Sequence, residues 1–136
     1  MFIGLVNYTT VMLRSFPNKY KREMLVKQLS QDFRGKSYVV YLPIDFKNRY
    51  NVGYGFINFC TEDACDRLVT SFNGVDVRKC LPGLNSRKVA EVTPARVQDL
   101  EENVRRLRNS PVMNELVLHP GWMPLLLNED GEESPA

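Results

Sequence analysis

Residues 52–59, Val52-Gly53-Tyr54-Gly55-Phe56-Ile57-Asn58-Phe59, decide how this chain is read. The stretch is rich in aromatic and β-branched residues, so it predicts a strand over Val52–Cys60. In a strand, successive side chains point to opposite faces. Tyr54, Phe56 and Asn58 therefore share one face, and Gly55, Ile57 and Phe59 the other. Ile57 and Phe59 suit a packed core. Two aromatic rings are left on the opposite face.

Working outward, Thr10–Phe16 alternates with Val11 and Leu13 on one side and Met12 and Arg14 on the other, a strand that Pro17-Asn18 breaks. From Lys19 to Asp32 the spacing of Leu25, Leu29 and Phe33 is helical, and Gly35 offers a C-terminal stop. Ser37–Ile44 reads as a second strand, with Pro43 marking an edge or bulge, and Asp45–Asn51 as a polar, basic loop. After Phe59, Thr61 is placed to cap a second helix with Glu62 and Asp63 in its first turn; Asn73-Gly74 closes it. Val75–Ser86 is loop-like, with room for a small hairpin, and Arg87–Ala95 is a fourth strand with Ala90 and Val92 inward. The order β-α-β-β-α-β predicts an α+β, ferredoxin-like domain: four antiparallel strands with two helices on one face. The uncovered sheet face is where function is expected.

Beyond this unit, Val97, Leu100, Val104 and Leu107 define an amphipathic third helix with Arg105, Arg106 and Arg108 near its end. Pro111–Leu127 is apolar and irregular, with Trp122 expected as an anchor packed on the domain. Asn128–Ala136 is acidic and expected to be disordered. The chain divides into residues 8–96 as the domain, 97–127 as a packed extension and 128–136 as a tail.

Exposed rings two residues apart cost solvation unless they meet a partner, and a nucleobase offers a flat π-face to each. Gly53 and Gly55 leave room for base and ribose near the backbone. Residues 52–59 also resemble the octamer of the RNA recognition motif, K/R-G-F/Y-G/A-F-V-x-F/Y, with Val52 in place of the basic first residue. Val11-Met12-Leu13-Arg14-Ser15-Phe16 fits the companion hexamer in part, with Met12 for the usual aromatic and Ser15 for the usual Asn.

A narrower resemblance covers residues 8–127. It rests on TTVMLRSFPNKY (9–20), LPIDFKNRYNVGYGFINF (42–59), FNG (72–74), NSRKVAEVTPARVQ (85–98), RNSPVMNE (108–115) and PLLL (124–127). These stretches are similar to the C-terminal RNA recognition motif of the Mei-two-like proteins of fungi, plants and protists. P-N-K-Y and P-I-D-F-K-N are specific to that family. Its members are RNA-binding regulators, several of them acting in meiosis or development. The resemblance implies that Tyr54 and Phe56 stack RNA bases, with Met12 at the family's non-aromatic position on the first strand.

Around the rings, Arg14 and Asn58 share the face, either solvated or placed for phosphate or base contact. Lys47 and Arg49 form a solvated basic loop or a phosphate grip. Tyr41 joins the face if Pro43 leaves the register unchanged, and Glu91 and Thr93 occupy it on the fourth strand; Arg96 adds a charge that draws the backbone. Arg105, Arg106 and Arg108 either extend this surface or pair with Glu101 and Glu102.

Composition narrows the classes. At 136 residues, 43% hydrophobic and 25% charged, the chain is a globular domain of ordinary size. Its apolar runs are too short to span a membrane, and the first ten residues lack the basic start of a secretory signal. Cys60, Cys65 and Cys80 form no C-x-x-C pair, so no disulfide framework or zinc site is expected; reduced thiols point inside the cell, to nucleus or cytoplasm. Residues 1–60 hold nine Lys/Arg against three acids, a net +6, and the rest hold nine against thirteen, a net −4. A basic half permits a polyanion surface. No nucleophile–base pair, metal cluster or phosphate-cradling loop is present, so neither catalysis nor a cofactor is expected. His119, the single histidine, is expected to be structural or solvated rather than catalytic.

Two readings follow. In the first, a monomer binds single-stranded RNA across the sheet in post-transcriptional regulation. In the alternative, the domain is a protein-interaction module, its sheet covered by the third helix or used for a peptide partner.

Overall fold

The computed structural model describes residues 9–96, 98 and 100–135. In chain order the elements are β1 (Thr10–Arg14), α1 (Arg22–Asp32), β2 (Tyr38–Tyr41), β3 (Ile44–Asp45), β4 (Tyr50–Asn51), β5 (Tyr54–Phe59), α2 (Glu62–Phe72), α3 (Val77–Cys80), β6 (Glu91–Pro94), α4 (Leu100–Arg108), α5 (Met113–Leu116), β7 (Leu125–Leu127) and β8 (Glu133–Pro135). The main sheet runs β6-β1-β5-β2-β7-β8, and every pairing in it is antiparallel. β1, β5, β2 and β6 with α1 and α2 make the expected ferredoxin-like unit.

Alternation builds the two layers. Val11, Leu13, Val40, Ile57, Phe59 and Val92 point into a core shared with Leu25 and Leu29 of α1 and Leu68 and Phe72 of α2. The Oγ1 of Thr61 accepts from the Ala64 N–H at 3.3 Å, capping α2 as the sequence predicts. α1 starts at Arg22, later than Lys19, because the Tyr20 N–H closes a turn on the Pro17 carbonyl (2.9 Å) and Lys21 is extended.

The structure departs from the four-strand expectation at two places. β2 ends before Pro43, and the predicted loop 45–51 folds into the small β3–β4 hairpin. The Oδ1 of Asp45 accepts from the Lys47 N–H at 3.0 Å, and Arg49 takes the left-handed conformation (φ 63°) that lets the chain return. The free edge of β2 is then covered by β7, with Val39 opposite Leu126. The acidic segment expected to be disordered instead turns at Asn128, whose Oδ1 accepts from the Asp130 and Glu132 N–H groups, and Glu133–Pro135 pairs with β7. Two further strands thus extend the sheet. Within 75–86, expected as loop, α3 forms one helical turn capped by Asp76, and Asp76 and Val89 make an isolated bridge.

The third helix spans Leu100–Arg108; Val97 of the predicted stripe lies outside the described residues. Its root is fixed by Gln98. The Gln98 Oε1 accepts from the backbone N–H groups of Thr9 and Thr10, both at 3.0 Å, and its Nε2 donates to the carbonyls of Thr10 (2.9 Å) and Ala95 (2.6 Å). One side chain so replaces a stretch of strand pairing at the start of β1.

Candidate functional site

The register of the sheet turns the open face into a grid. One row holds Thr93, Met12, Phe56 and Tyr41 on neighbouring strands, and the next holds Glu91, Arg14 and Tyr54. A third row, Thr10, Asn58 and Val39, continues onto Leu126 of β7. Tyr41 is therefore on the face; β2 keeps its register through Tyr41 and ends before Pro43. Tyr54 is exposed at 38%, Phe56 is half-buried, and their rings meet edge to face at 5.8 Å and 81°. Burial, with a smaller contribution from Tyr54, raises the Tyr41 hydroxyl above its usual value, so it stays a neutral donor. Arg14 and Thr93 are exposed and Met12 is half-buried between Phe56 and Thr93. Arg96 is exposed just past β6, and Lys47 and Arg49 are exposed on the hairpin.

The structure changes the account of two residues. Gly55 does not clear space for a ligand: a Cβ there would meet the Tyr41 carbonyl at 3.1 Å and Leu42 and Phe16 at 3.2 Å, all on the core side. Gly53 has φ +97°, so it serves the turn into β5. Asn58 is on the predicted face, but its Nδ2 is engaged by Thr10 Oγ1 at 2.5 Å, and that hydroxyl in turn donates to the Gln98 carbonyl.

The face is covered at one end. α4 stands over the Thr10–Asn58–Val39 row and forms with it a half-open cavity of about 290 Å³, lined by Val39, Phe56 and Asn58 from the sheet and by Val104 and Leu107 from the helix. The Tyr54–Arg14–Glu91 row lies outside that cavity. The arginines of α4 are partly engaged: Glu102 pairs with Arg105 at 2.5 Å and Arg106 at 3.0 Å, and these guanidinium groups hold its carboxyl at about 2.

The tail is anchored as predicted. Trp122 stacks on Phe46 of the β3–β4 turn (5.7 Å) and on His119 (3.9 Å). The thiols of Cys65 and Cys80 are buried and pushed by burial up to about 12 and about 11, which leaves them inert. Sequence reasoning missed Val39 and Leu126 as members of the face, and missed Gln98. The run Leu125-Leu126-Leu127 has no alternation to reveal a strand, and an isolated glutamine has no pattern at all.

Comparison with known proteins agrees with this geometry. The model of the family described as RNA recognition motif 2 matches residues 8–108. Protein MEI2-like 1 of Arabidopsis thaliana is 38% identical over 90% of this chain, and Protein terminal ear1 of Zea mays is 39% identical over 75% of it. These alignments span only 13% and 17% of those relatives, so the chain covers about an eighth to a sixth of their length. Among solved structures, a Sex-lethal protein–RNA complex superimposes with a TM-score of 0.52 at 21% identity, covering 68% of this chain and 50% of that one. The Rna15 domain with bound RNA gives 0.52 at 16% identity over 74% of this chain and 97% of that one. The latter two establish the fold. With the matched residues 8–108 running from the start of β1 to the end of α4, the chain belongs to the RNA recognition motif 2 family and carries the Mei2-like form of that domain.

Proposed function

We propose that the chain binds single-stranded RNA on the open sheet face, as part of post-transcriptional regulation. The observation that carries this reading is the pair Tyr54 and Phe56, two adjacent rings on β5 outside the core, with Arg14 beside them and only one end of the face covered. Bases stack on the two rings, and Met12, Tyr41 and Thr93 border them. Arg14, Lys47, Arg49 and Arg96 draw the phosphates. The RNA-bound state of the Rna15 domain and the Sex-lethal complex supports the same use of this fold. The chemistry is binding and calls on no catalytic group.

The test is selection from a random RNA pool on the full chain, followed by titration of the winning sequence. Tyr54→Ala/Phe56→Ala should lose about 2–6 kcal/mol of binding, one stacked base per ring. An unchanged isotherm would defeat the proposal.

The cavity under α4 favours a second reading, in which the helix keeps the face for itself or for a peptide. Leu107→Asp, which puts a charge into that cavity, separates the two. If α4 competes with RNA, affinity rises several-fold, because the competent state gains population. If α4 closes the face permanently, the parent chain selects no RNA.

A further inference from the structure

The segment P-N-K-Y and the Ile44 end of P-I-D-F-K-N are left unused by the open face, yet both border one groove. It has a volume of about 520 Å³ and lies where β1 leaves the sheet and β5 enters it. Asn51 builds its floor. Buried at 7% exposure, it donates from Nδ2 to the carbonyls of Pro17 (2.7 Å), Asn18 (3.2 Å) and Tyr20 (3.0 Å), and its Oδ1 accepts from the Gly53 N–H (2.8 Å). Leu42, Ile44 and Trp122 form apolar walls. Lys19, Lys21, Arg22 and Arg49 line the groove against the single acid Glu23. Arg22 is engaged with the carbonyls of Pro120 and Met123 at 3.1 and 2.8 Å. Lys19, Lys21 and Arg49 are exposed and make no ion pair among the described residues. Tyr50, 43% exposed, completes the lining.

Excess positive charge beside an exposed ring over apolar walls is the chemistry that holds a phosphate and a base together. Ser15 and Phe16 both donate to the Gly53 carbonyl, at 2.9 and 3.2 Å, which ties the chain that leads into the groove to the turn before β5. Tyr50 and Tyr54 are four residues apart, at most about 14 Å along an extended chain, a span one nucleic-acid strand can bridge. We propose that this groove takes a nucleotide flanking those on Tyr54 and Phe56: its phosphate lies at Lys19 and Lys21, and its base lies against Tyr50. The inference rests on the open-face reading, and the experiment separates the two.

A fluorescein-labelled, fully degenerate RNA dodecamer is titrated by anisotropy over a potassium chloride series. The proteins are the full chain and its variants Lys19→Gln/Lys21→Gln, Tyr50→Ala and Tyr54→Ala/Phe56→Ala. The lysine pair should flatten the slope of log K against log salt by about 0.7, the share of the one phosphate that the two lysines hold. Tyr50→Ala should weaken binding at least about fivefold, the lower bound for a lost stacked base. If the open-face variant loses binding while the lysine and tyrosine variants match the parent, the groove assignment is overturned and the open-face reading stands. If the slope flattens but Tyr50→Ala matches the parent, the groove is a generic polyanion patch and the nucleotide assignment is overturned. If none of the variants moves the isotherm, both readings fall.

Discussion

Gly55 shows how one residue type can be read correctly and explained wrongly. The octamer demands a small residue there, and the sequence suggested room for a ligand; the missing Cβ in fact lets β5 lie against Phe16 and Leu42. Gly55→Ala should therefore cost about 1–3 kcal/mol of stability, read as a lower urea midpoint at unchanged slope, with RNA affinity per folded molecule unaltered. Ser15 is the converse case. It holds φ 76° without being glycine, at a position where related hexamers carry asparagine, a residue that tolerates this conformation. Ser15→Asn should raise stability by up to about 1 kcal/mol, visible as a higher melting temperature. The thiols supply a pH signature. Folding raises Cys65 to about 12 and Cys80 to about 11 from an ordinary 9.0, so the folded state favours the protonated form. Their stabilising effect is complete below about pH 9 and fades as pH climbs from 9 towards 11 and 12, where the unfolded chain ionises first. Denaturant melts at rising pH check the sign; Cys65→Ala/Cys80→Ala, measured against its own neutral-pH stability, should flatten the decline.

Elements were legible where their pattern was long. α2, with its threonine cap and acidic first turn, and β5, with six alternating residues, follow the sequence closely. The β3–β4 hairpin was not visible, because strands of two residues have no period to detect. A buried amide, that of Asn51, ties it to the chain between β1 and α1. Asn51→Ala removes the partner of three carbonyls and one N–H, and should cost about 3 kcal/mol, since buried polar groups left without partners lose their full solvation. Guanidinium denaturation measures this directly. Thr61→Ala offers a calibrated comparison at about 1 kcal/mol, the usual worth of a helix cap.

At the scale of the molecule, the sheet face and its two central rings could be read from alternation alone, but the partner of the face could not. β7 joins β2 across 87 positions, Val39 to Leu126, and neither segment alone betrays the other. The tail therefore belongs to the sheet: Leu125 and Leu127 are core residues, and removing them would bare the Tyr38–Val40 edge. A chain ending near Arg96 should aggregate at concentrations where the full chain stays monodisperse, which light scattering resolves. The Gln98 clamp has a mechanical consequence. Because that amide is riveted to the first strand, the helix beyond it can leave the face only by pivoting about a pinned root. Uncovering the Phe56 side of the face is then a unimolecular swing whose rate does not change with dilution.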